Sequence, residues 1–182
     1  CIGQSTSLTA TGASTYTWNN GVVNNTPFTP QTTNNYVVTG TDMNGCVNQD
    51  TVSVVVNPLP NVSAGNNQTV CLNTAVVLSG SGASTYTWNN GVVNNTPFTP
   101  QTTNNYVVTG TDVNGCVNTD TTTVTVNALP NVNAGVNQAI CIGQSTSLTA
   151  TGASTYTWNN GVVNNTPFTP QTTNNYVVTG TD

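Results

Sequence analysis

The stretch Ser14–Asp42, "STYTWNNGVVNNTPFTPQTTNNYVVTGTD", occurs three times without a substitution, and the other copies begin at Ser84 and Ser154. Residues 141–182 repeat residues 1–42 letter for letter. The period of 70 residues is too long for one rung of a solenoid and suits a small independent domain. We therefore predict three tandem repeats: residues 1–57 without a first strand, a complete repeat at 58–127, and residues 128–182 without a last strand.

The repeated stretch has the pattern of β-strands. In the middle copy, Tyr86 and Trp88 alternate with Thr85 and Thr87, which places the aromatic side chains on one face. Val, Thr and aromatic residues favour strands, and Gly, Pro and Asn interrupt every run that could form a helix. About seven short strands in each repeat, with turns every 8–12 residues, predict an all-β chain of tandem Greek-key β-sandwiches.

Alternation also predicts the core and the turns of the complete repeat. Asn90-Gly91 predicts a hairpin turn that leads into a strand at Val92-Val93. Trp88 is expected in the core because it alternates in phase with Tyr86, and the alternative is an exposed Trp that stacks on a ligand. The predicted core consists of Leu78, Tyr86, Trp88, Phe98, Tyr106, Val108 and Val124.

The composition excludes several classes of function. The chain contains no Lys, Arg or His and has five acidic residues, all Asp. Without cations it cannot neutralise nucleic-acid phosphates or anionic lipids. Only Asp, Tyr and Cys remain for acid–base chemistry, so we expect neither an enzyme nor a cofactor. No apolar run is long enough for a membrane span.

The cysteines recur with the period. Cys1 and Cys46 have the same separation as Cys71 and Cys116, which predicts one disulfide within each repeat. The equivalent partner of Cys141 would be residue 186. A bridge of this loop size contributes roughly 4 kcal/mol in the chain-entropy model. Disulfides persist in oxidising surroundings, so we expect an extracellular or cell-surface protein; unpaired buried thiols are the alternative.

The acidic residues cluster in the turns, which read D-x-N-G-C-V-N-x-D. Two carboxylates, an Asn and loop carbonyls are oxygen ligands of the kind that Ca²⁺ prefers, although Asp and Asn are also ordinary turn residues. The candidate calcium ligands are Asp42, Asn44 and Asp50 in the first repeat and Asp112, Asn114 and Asp120 in the second.

The remaining surface is predicted to be polar and uncharged. Outward Thr side chains and Asn-rich loops could hydrogen-bond to sugars, match ice or carry glycans. N-x-Thr acceptor patterns begin at Asn24, Asn67, Asn94 and Asn164. Between repeats, "NPLPN" and "NALPN" predict short, stiff linkers that would hold successive repeats in a rod.

The motifs Y-x-W-x-x-G and Y-x-V-x-G-T-D-x-N-G-C resemble the tandem Ig-like or PKD-like repeats of large bacterial surface proteins. Such repeats are common in adhesins of gliding Bacteroidota that are exported by the type IX secretion system. The resemblance implies a β-sandwich, a stalk or filament role and cell-surface location. It also implies O-glycan acceptors at Thr51 and Thr121, which follow Asp. The Asn89–Gly91 turn departs from the acidic PKD motif after the Trp.

Two functions are consistent with these features. The first is a structural region of an adhesin or fibre, a stiff stalk or self-associating filament for adhesion, gliding or biofilm cohesion. The second is a glycan-binding array in which each repeat binds extracellular polysaccharide. Near-identity of the repeats favours the first, because repetition adds length without adding a new site.

Overall fold

The computed structural model describes residues 1–182, and the chain is all-β, as expected. Contacts divide the chain into two compact units, residues 1–126 and 127–182. The only helical element is a single 3₁₀ turn at Asn159–Gly161. The strands are β1 Thr15–Trp18, β2 Asn34–Thr41, β3 Val47–Val54, β4 Gln68–Cys71, β5 Thr85–Trp88, β6 Asn104–Thr111, β7 Val117–Asn127, β8 Thr155–Trp158 and β9 Val178–Thr181. The predicted division into three repeats stays a prediction, and we keep its numbering.

Each repeat builds its sheet around the same antiparallel strand pair. The sheet order is β1-β2-β3 in the first repeat, β4-β7-β6-β5 in the second and β8-β9 in the third. The register is the same in all three: Trp18 pairs with Val38, Trp88 with Val108 and Trp158 with Val178. Identical sequence therefore gives identical pairing.

The predicted alternation is confirmed in the second repeat. Trp88 is buried and Tyr86 half-buried, whereas Thr85 and Thr87 are exposed. The Tyr86 hydroxyl accepts a hydrogen bond from the Ala83 N–H and donates one to the Ala83 carbonyl, which fixes the start of β5. All predicted core residues belong to the hydrophobic core, Tyr86 and Phe98 at its half-buried margin; Val62, Ala64, Val76 and Val92 complete it.

The Asn-Gly turn forms, but the predicted hairpin does not. Asn90 and Gly91 both have positive φ, and the Val92 N–H donates to the Asn89 carbonyl at 3.3 Å. β5 nevertheless pairs with β6, and Val92-Val93 is not a strand. The chain turns again at Asn95, whose φ is 60° and whose N–H donates to the Leu78 carbonyl. This second turn folds the loop over the core before a strand can extend.

The second repeat begins with an irregular segment that runs along β7. Pro60 contacts Asn118, Ala64 contacts Asp120 and Asn67 contacts Thr123 through hydrogen bonds. From one of these contacts to the next, the residue number increases in the segment and in β7 alike, so the two run parallel. Gly65 bends the segment with φ +76°. We call residues 60–67 the first-strand segment of this repeat.

Candidate functional site

The disulfide of the structure joins Cys1 to Cys116, with a Cα–Cα distance of 5.5 Å. Cys46, Cys71 and Cys141 are free and exposed. The predicted pairings Cys1–Cys46 and Cys71–Cys116 are therefore wrong. The bond connects the first repeat to the second and does not close either repeat on itself.

The direction of the first-strand segment explains why Cys71 cannot reach Cys116. Cys116 directly precedes β7, whereas Cys71 ends β4, which continues the segment toward the other end of β7. β7 has 11 residues. At about 3.3 Å per residue, the two cysteines are separated by roughly 36 Å, and a disulfide requires Cα atoms within about 7 Å.

The linker between the repeats brings Cys1 and Cys116 together. The Ile2 N–H donates to the Asn57 carbonyl at 2.9 Å, which places Cys1 at the end of the first repeat. The Asn118 side-chain amide donates to the Pro60 carbonyl at 3.0 Å, which places Cys116 at the start of the second repeat. The disulfide therefore bridges the short linker from Asn57 to Pro60.

The first carboxylate of each acidic turn is used by the turn itself. One oxygen of Asp42 accepts hydrogen bonds from the backbone N–H groups of Asn44 and Cys46, both at 2.8 Å. Asp112 does the same for Asn114 and Cys116. These contacts are those of Asp in a tight turn, and they orient each carboxylate toward its own backbone.

The second carboxylate lies further along the adjoining strand. Asp42 pairs with Cys46, and Asp50 lies four residues beyond Cys46 on β3. This spacing corresponds to roughly 13 Å, which is too far for two carboxylates to share one cation. In each turn the structure thus keeps the first Asp beside the candidate Asn but places the second Asp, Asp50 or Asp120, away from them, and it contains no cluster of three or more His, Cys, Asp or Glu side chains for a metal ion.

Asp120 instead binds the first-strand segment. Its carboxylate accepts the Ala64 N–H at 2.8 Å. This hydrogen bond, and a second from the Thr121 N–H, lower the pKa of Asp120, and partial burial opposes them. The sequence alone did not predict this contact because 56 residues separate the partners.

Each tryptophan forms one repeated structural unit with an N-x-Thr asparagine of its own repeat. Trp88 is 8 % exposed, and its indole N–H donates to the Asn94 side-chain oxygen at 3.0 Å. The same oxygen accepts the Gly80 N–H at 2.8 Å. Equivalent bonds join Trp18 to Asn24 and Trp158 to Asn164. The core assignment of Trp88 is confirmed.

The remaining predicted modification sites differ in their surroundings. Asn67 is exposed, but its side-chain oxygen accepts the Thr123 N–H at 2.8 Å. Thr51 and Thr121, the residues for which the resemblance implies O-glycans, are both exposed on the strands that follow the acidic turns. Their role stays a prediction.

The first repeat has an open groove of about 440 Å³ beside β3. We call it the first-strand groove and define it by Gly12, Gly40, Asn48, Asp50 and Val52, which all line it. The equivalent residues of the second repeat are Gly82, Gly110, Asn118, Asp120 and Thr122, and they contact residues 61–67 and Pro60. Trp18 also lines the groove and is half-buried.

No helix in the structure has both the length and the apolar character needed to cross a membrane. Comparison with known proteins finds no family model and no curated protein that matches this chain.

Proposed function

We propose that this chain is a structural repeat region of an extracellular surface adhesin or fibre. In this proposal each repeat is a small Greek-key β-sandwich of the Ig-like or PKD-like kind, and the repeats form a stiff stalk or self-associating filament. The observation that carries the proposal is the Cys1–Cys116 disulfide, which joins successive repeats across their linker.

A covalent bond between repeats suits a load-bearing role. Force applied to the chain ends passes directly from Cys1 to Cys116, so residues 2–115 carry none of it. In the chain-entropy model, a bridge across this separation contributes about 5 kcal/mol. The bond also limits bending at the linker, because it adds a second connection beside the backbone. Both effects serve a spacer whose task is to keep its length.

The oxidised cysteine pair also supports location outside the cytoplasm. Disulfides of this structural kind are maintained in secreted and surface-exposed proteins. The polar surface is nearly uncharged, with a formal net charge of −5 over 182 residues. Neighbouring copies therefore repel each other weakly, which favours side-by-side or end-to-end association.

Single-molecule stretching from the two chain ends tests the mechanical part of this proposal. Reduction of the disulfide should lengthen the fully extended chain by the 115-residue separation, or about 400 Å at 3.3–3.6 Å per residue. An unchanged extension after reduction would contradict the load path. A Cys141→Ser variant is the matched control, because Cys141 is free.

A polysaccharide pull-down with the same chain tests the competing glycan-binding function. We expect no retention on extracellular polysaccharides, because Trp88 and Trp158 are buried and the indole N–H of the half-buried Trp18 is bound to Asn24 within its own repeat. Retention by a fragment of two repeats would favour the glycan-binding array and weigh against a purely structural role.

A further inference from the structure

We propose that Asn20, Asn90 and Asn160, one in each repeat, are sites of spontaneous deamidation, at which the asparagine becomes aspartate or isoaspartate. Each is followed by glycine and lies in the turn after the Thr-Tyr-Thr-Trp strand. The chain has two further Asn-Gly pairs, at Asn44 and Asn114, and the acidic turns protect them. This modification would occur whether or not the chain serves as a stalk.

Deamidation at an Asn-Gly pair needs no reactant other than water. The glycine backbone nitrogen attacks Cγ of the asparagine side chain, and the Cγ–Nδ2 bond breaks as a succinimide ring closes. The glycine N–H proton passes to the solvent, and the departing nitrogen takes a proton from the solvent and leaves as ammonia. Water then opens the ring at either carbonyl, which gives aspartate or isoaspartate. Because glycine has no β-carbon, its peptide rotates freely, and a pair reacts when the glycine N–H is also free.

The Asn-Gly turn of the second repeat meets both conditions. Asn90 and Gly91 are exposed, and no protein atom accepts a hydrogen bond from the Gly91 N–H. The Val92 N–H bond to the Asn89 carbonyl spans the pair at 3.3 Å, longer than the usual distance of about 2.9–3.0 Å. The Asn90 amide lies 3.5 Å from the Asn105 carbonyl, too far to hold the side chain firmly. The same turn, with the same 3.3 Å bond, is formed by residues 19–22 and 159–162.

The acidic turns, by contrast, hold their Asn-Gly pairs with several hydrogen bonds. The Gly115 N–H donates to the Asp112 carbonyl at 3.1 Å. The Asp112 carboxylate accepts the Asn114 and Cys116 N–H groups, both at 2.8 Å, and the Asp112 N–H donates to the Cys116 carbonyl. Residues 42–46 make the same four bonds. Asn114 and Gly115 are exposed as well, so hydrogen bonding and not solvent access distinguishes the two kinds of turn.

Conversion of Asn90 would disturb the core, because the turn leads directly to a buried side chain. Isoaspartate adds one carbon to the backbone between Asn89 and Val92. Val92 is 9 % exposed and belongs to the hydrophobic core, so a longer turn would loosen its packing. Either product also adds a negative charge, and the chain has no Lys, Arg or His to pair with it.

Peptide mapping by mass spectrometry of the folded 182-residue chain, aged at mildly alkaline pH, tests the proposal. Cleavage after aromatic residues releases the three reactive turns as one shared peptide, and Met43 and Val113 distinguish Asn44 from Asn114. The shared peptide should deamidate at its Asn-Gly pair roughly tenfold faster or more, since several hydrogen bonds must open in the acidic turns. In the unfolded, reduced chain all five pairs should react at similar rates. Equal rates in the folded chain, or the same ratio after unfolding, would overturn the proposal.

Asp112→Ala adds a test with a control in the same molecule. The variant loses the carboxylate that holds two N–H groups of the second acidic turn, so Asn114 should deamidate severalfold faster. Asn44 should keep its rate, because its own turn is unchanged. An unaltered rate at Asn114 would contradict the protection by turn hydrogen bonds. Faster reaction at Asn44 as well would mean that the variant unfolds, and the folded and unfolded wild-type chains then decide.

Denaturant unfolding of the aged chain tests the effect on the core. The midpoint should fall as isoaspartate accumulates, which enzymatic methylation of isoaspartate measures. Asn90→Asp is the matched control, because it adds the charge without the extra backbone carbon and should lower the midpoint less. An aged chain with an unchanged midpoint would contradict the loosening of Val92.

Discussion

The first and second repeats share most of their sequence but bury it to different extents. Leu78 and Val108 are 1 % and 0 % exposed in the second repeat, whereas Leu8 and Val38 are only half-buried in the first. The strand pairs β1-β2 and β5-β6 have the same register, so the sheet itself does not cause the difference. The first-strand segment does, because it covers the second repeat and no equivalent covers the first. One short irregular segment therefore completes the core.

The largest expected effect concerns the bond that joins the two repeats. Cys1→Ser should lower the free energy of unfolding of residues 1–126 by about 5 kcal/mol, since the unfolded chain regains the entropy of an open loop. Denaturant unfolding followed by tryptophan fluorescence measures it. Cys141→Ser, at an exposed free thiol, should leave stability unchanged. Equal stability of the two variants would mean that the bridge does not constrain this unit.

Truncation of the equivalent leucine in each repeat tests whether the core of the second repeat is more tightly packed than that of the first. Leu78→Ala should cost about 2–5 kcal/mol, because it leaves a cavity in a closed core. Leu8→Ala should cost less than half as much, because Leu8 lines the open groove. Denaturant unfolding of both variants gives the comparison. Similar losses at the two positions would show that the first repeat is as well packed as the second.

The close approach of the first-strand segment is tested at a glycine. Gly110→Ala should destabilise the second repeat by about 1–3 kcal/mol, since the new methyl group would overlap Val62. At Gly40 the nearest atom to a β-carbon is that of Ala13 at 3.0 Å, so Gly40→Ala should have a smaller effect. Hydrogen exchange of the β6 and β2 amides distinguishes them. Equal protection in both variants would contradict the role given to Val62.

The smallest expected effect is a dependence on pH. Because the folded-state pKa of Asp120 is lowered, its contribution to stability is complete above the ordinary Asp pKa of about 3.9 and is lost as pH falls through the lower folded value. Hydrogen exchange of the Ala64 amide between pH 5 and pH 2 should show this loss. Asp120→Asn should remove most of the dependence. A pH profile identical to that of the variant would assign the transition to another group.

Local features were predictable because they depend on neighbours in sequence. The Thr-Tyr-Thr-Trp alternation fixed which side chains of β5 point inward, and Gly115 with Asp112 fixed the turn before β7. The core positions of Leu78, Val108 and Val124 followed from the same period of two. The failed hairpin at Asn90-Gly91 shows the limit, since a correct turn prediction gave a wrong strand pairing when Asn95 bent the chain again.

The cysteine pairing could not be derived in this way. Equal spacing of Cys1–Cys46 and Cys71–Cys116 predicted a bridge within each repeat, but spacing carries no information about strand direction. The parallel run of residues 60–67 along β7 places Cys71 far from Cys116. The role of Asp120 was hidden for the same reason, because its partner Ala64 is distant in sequence. Neither fact is visible in any short window of residues.

The amino-acid sequence by itself determined the repeat, the all-β class, the turns and the near absence of charge, because each depends on composition or on residues a few positions apart. Only the tertiary structure decided which cysteines meet and which Asp binds the first-strand segment. These features depend on the direction in which residues 60–67 run along β7. That direction is fixed by hydrogen bonds between residues more than 50 positions apart.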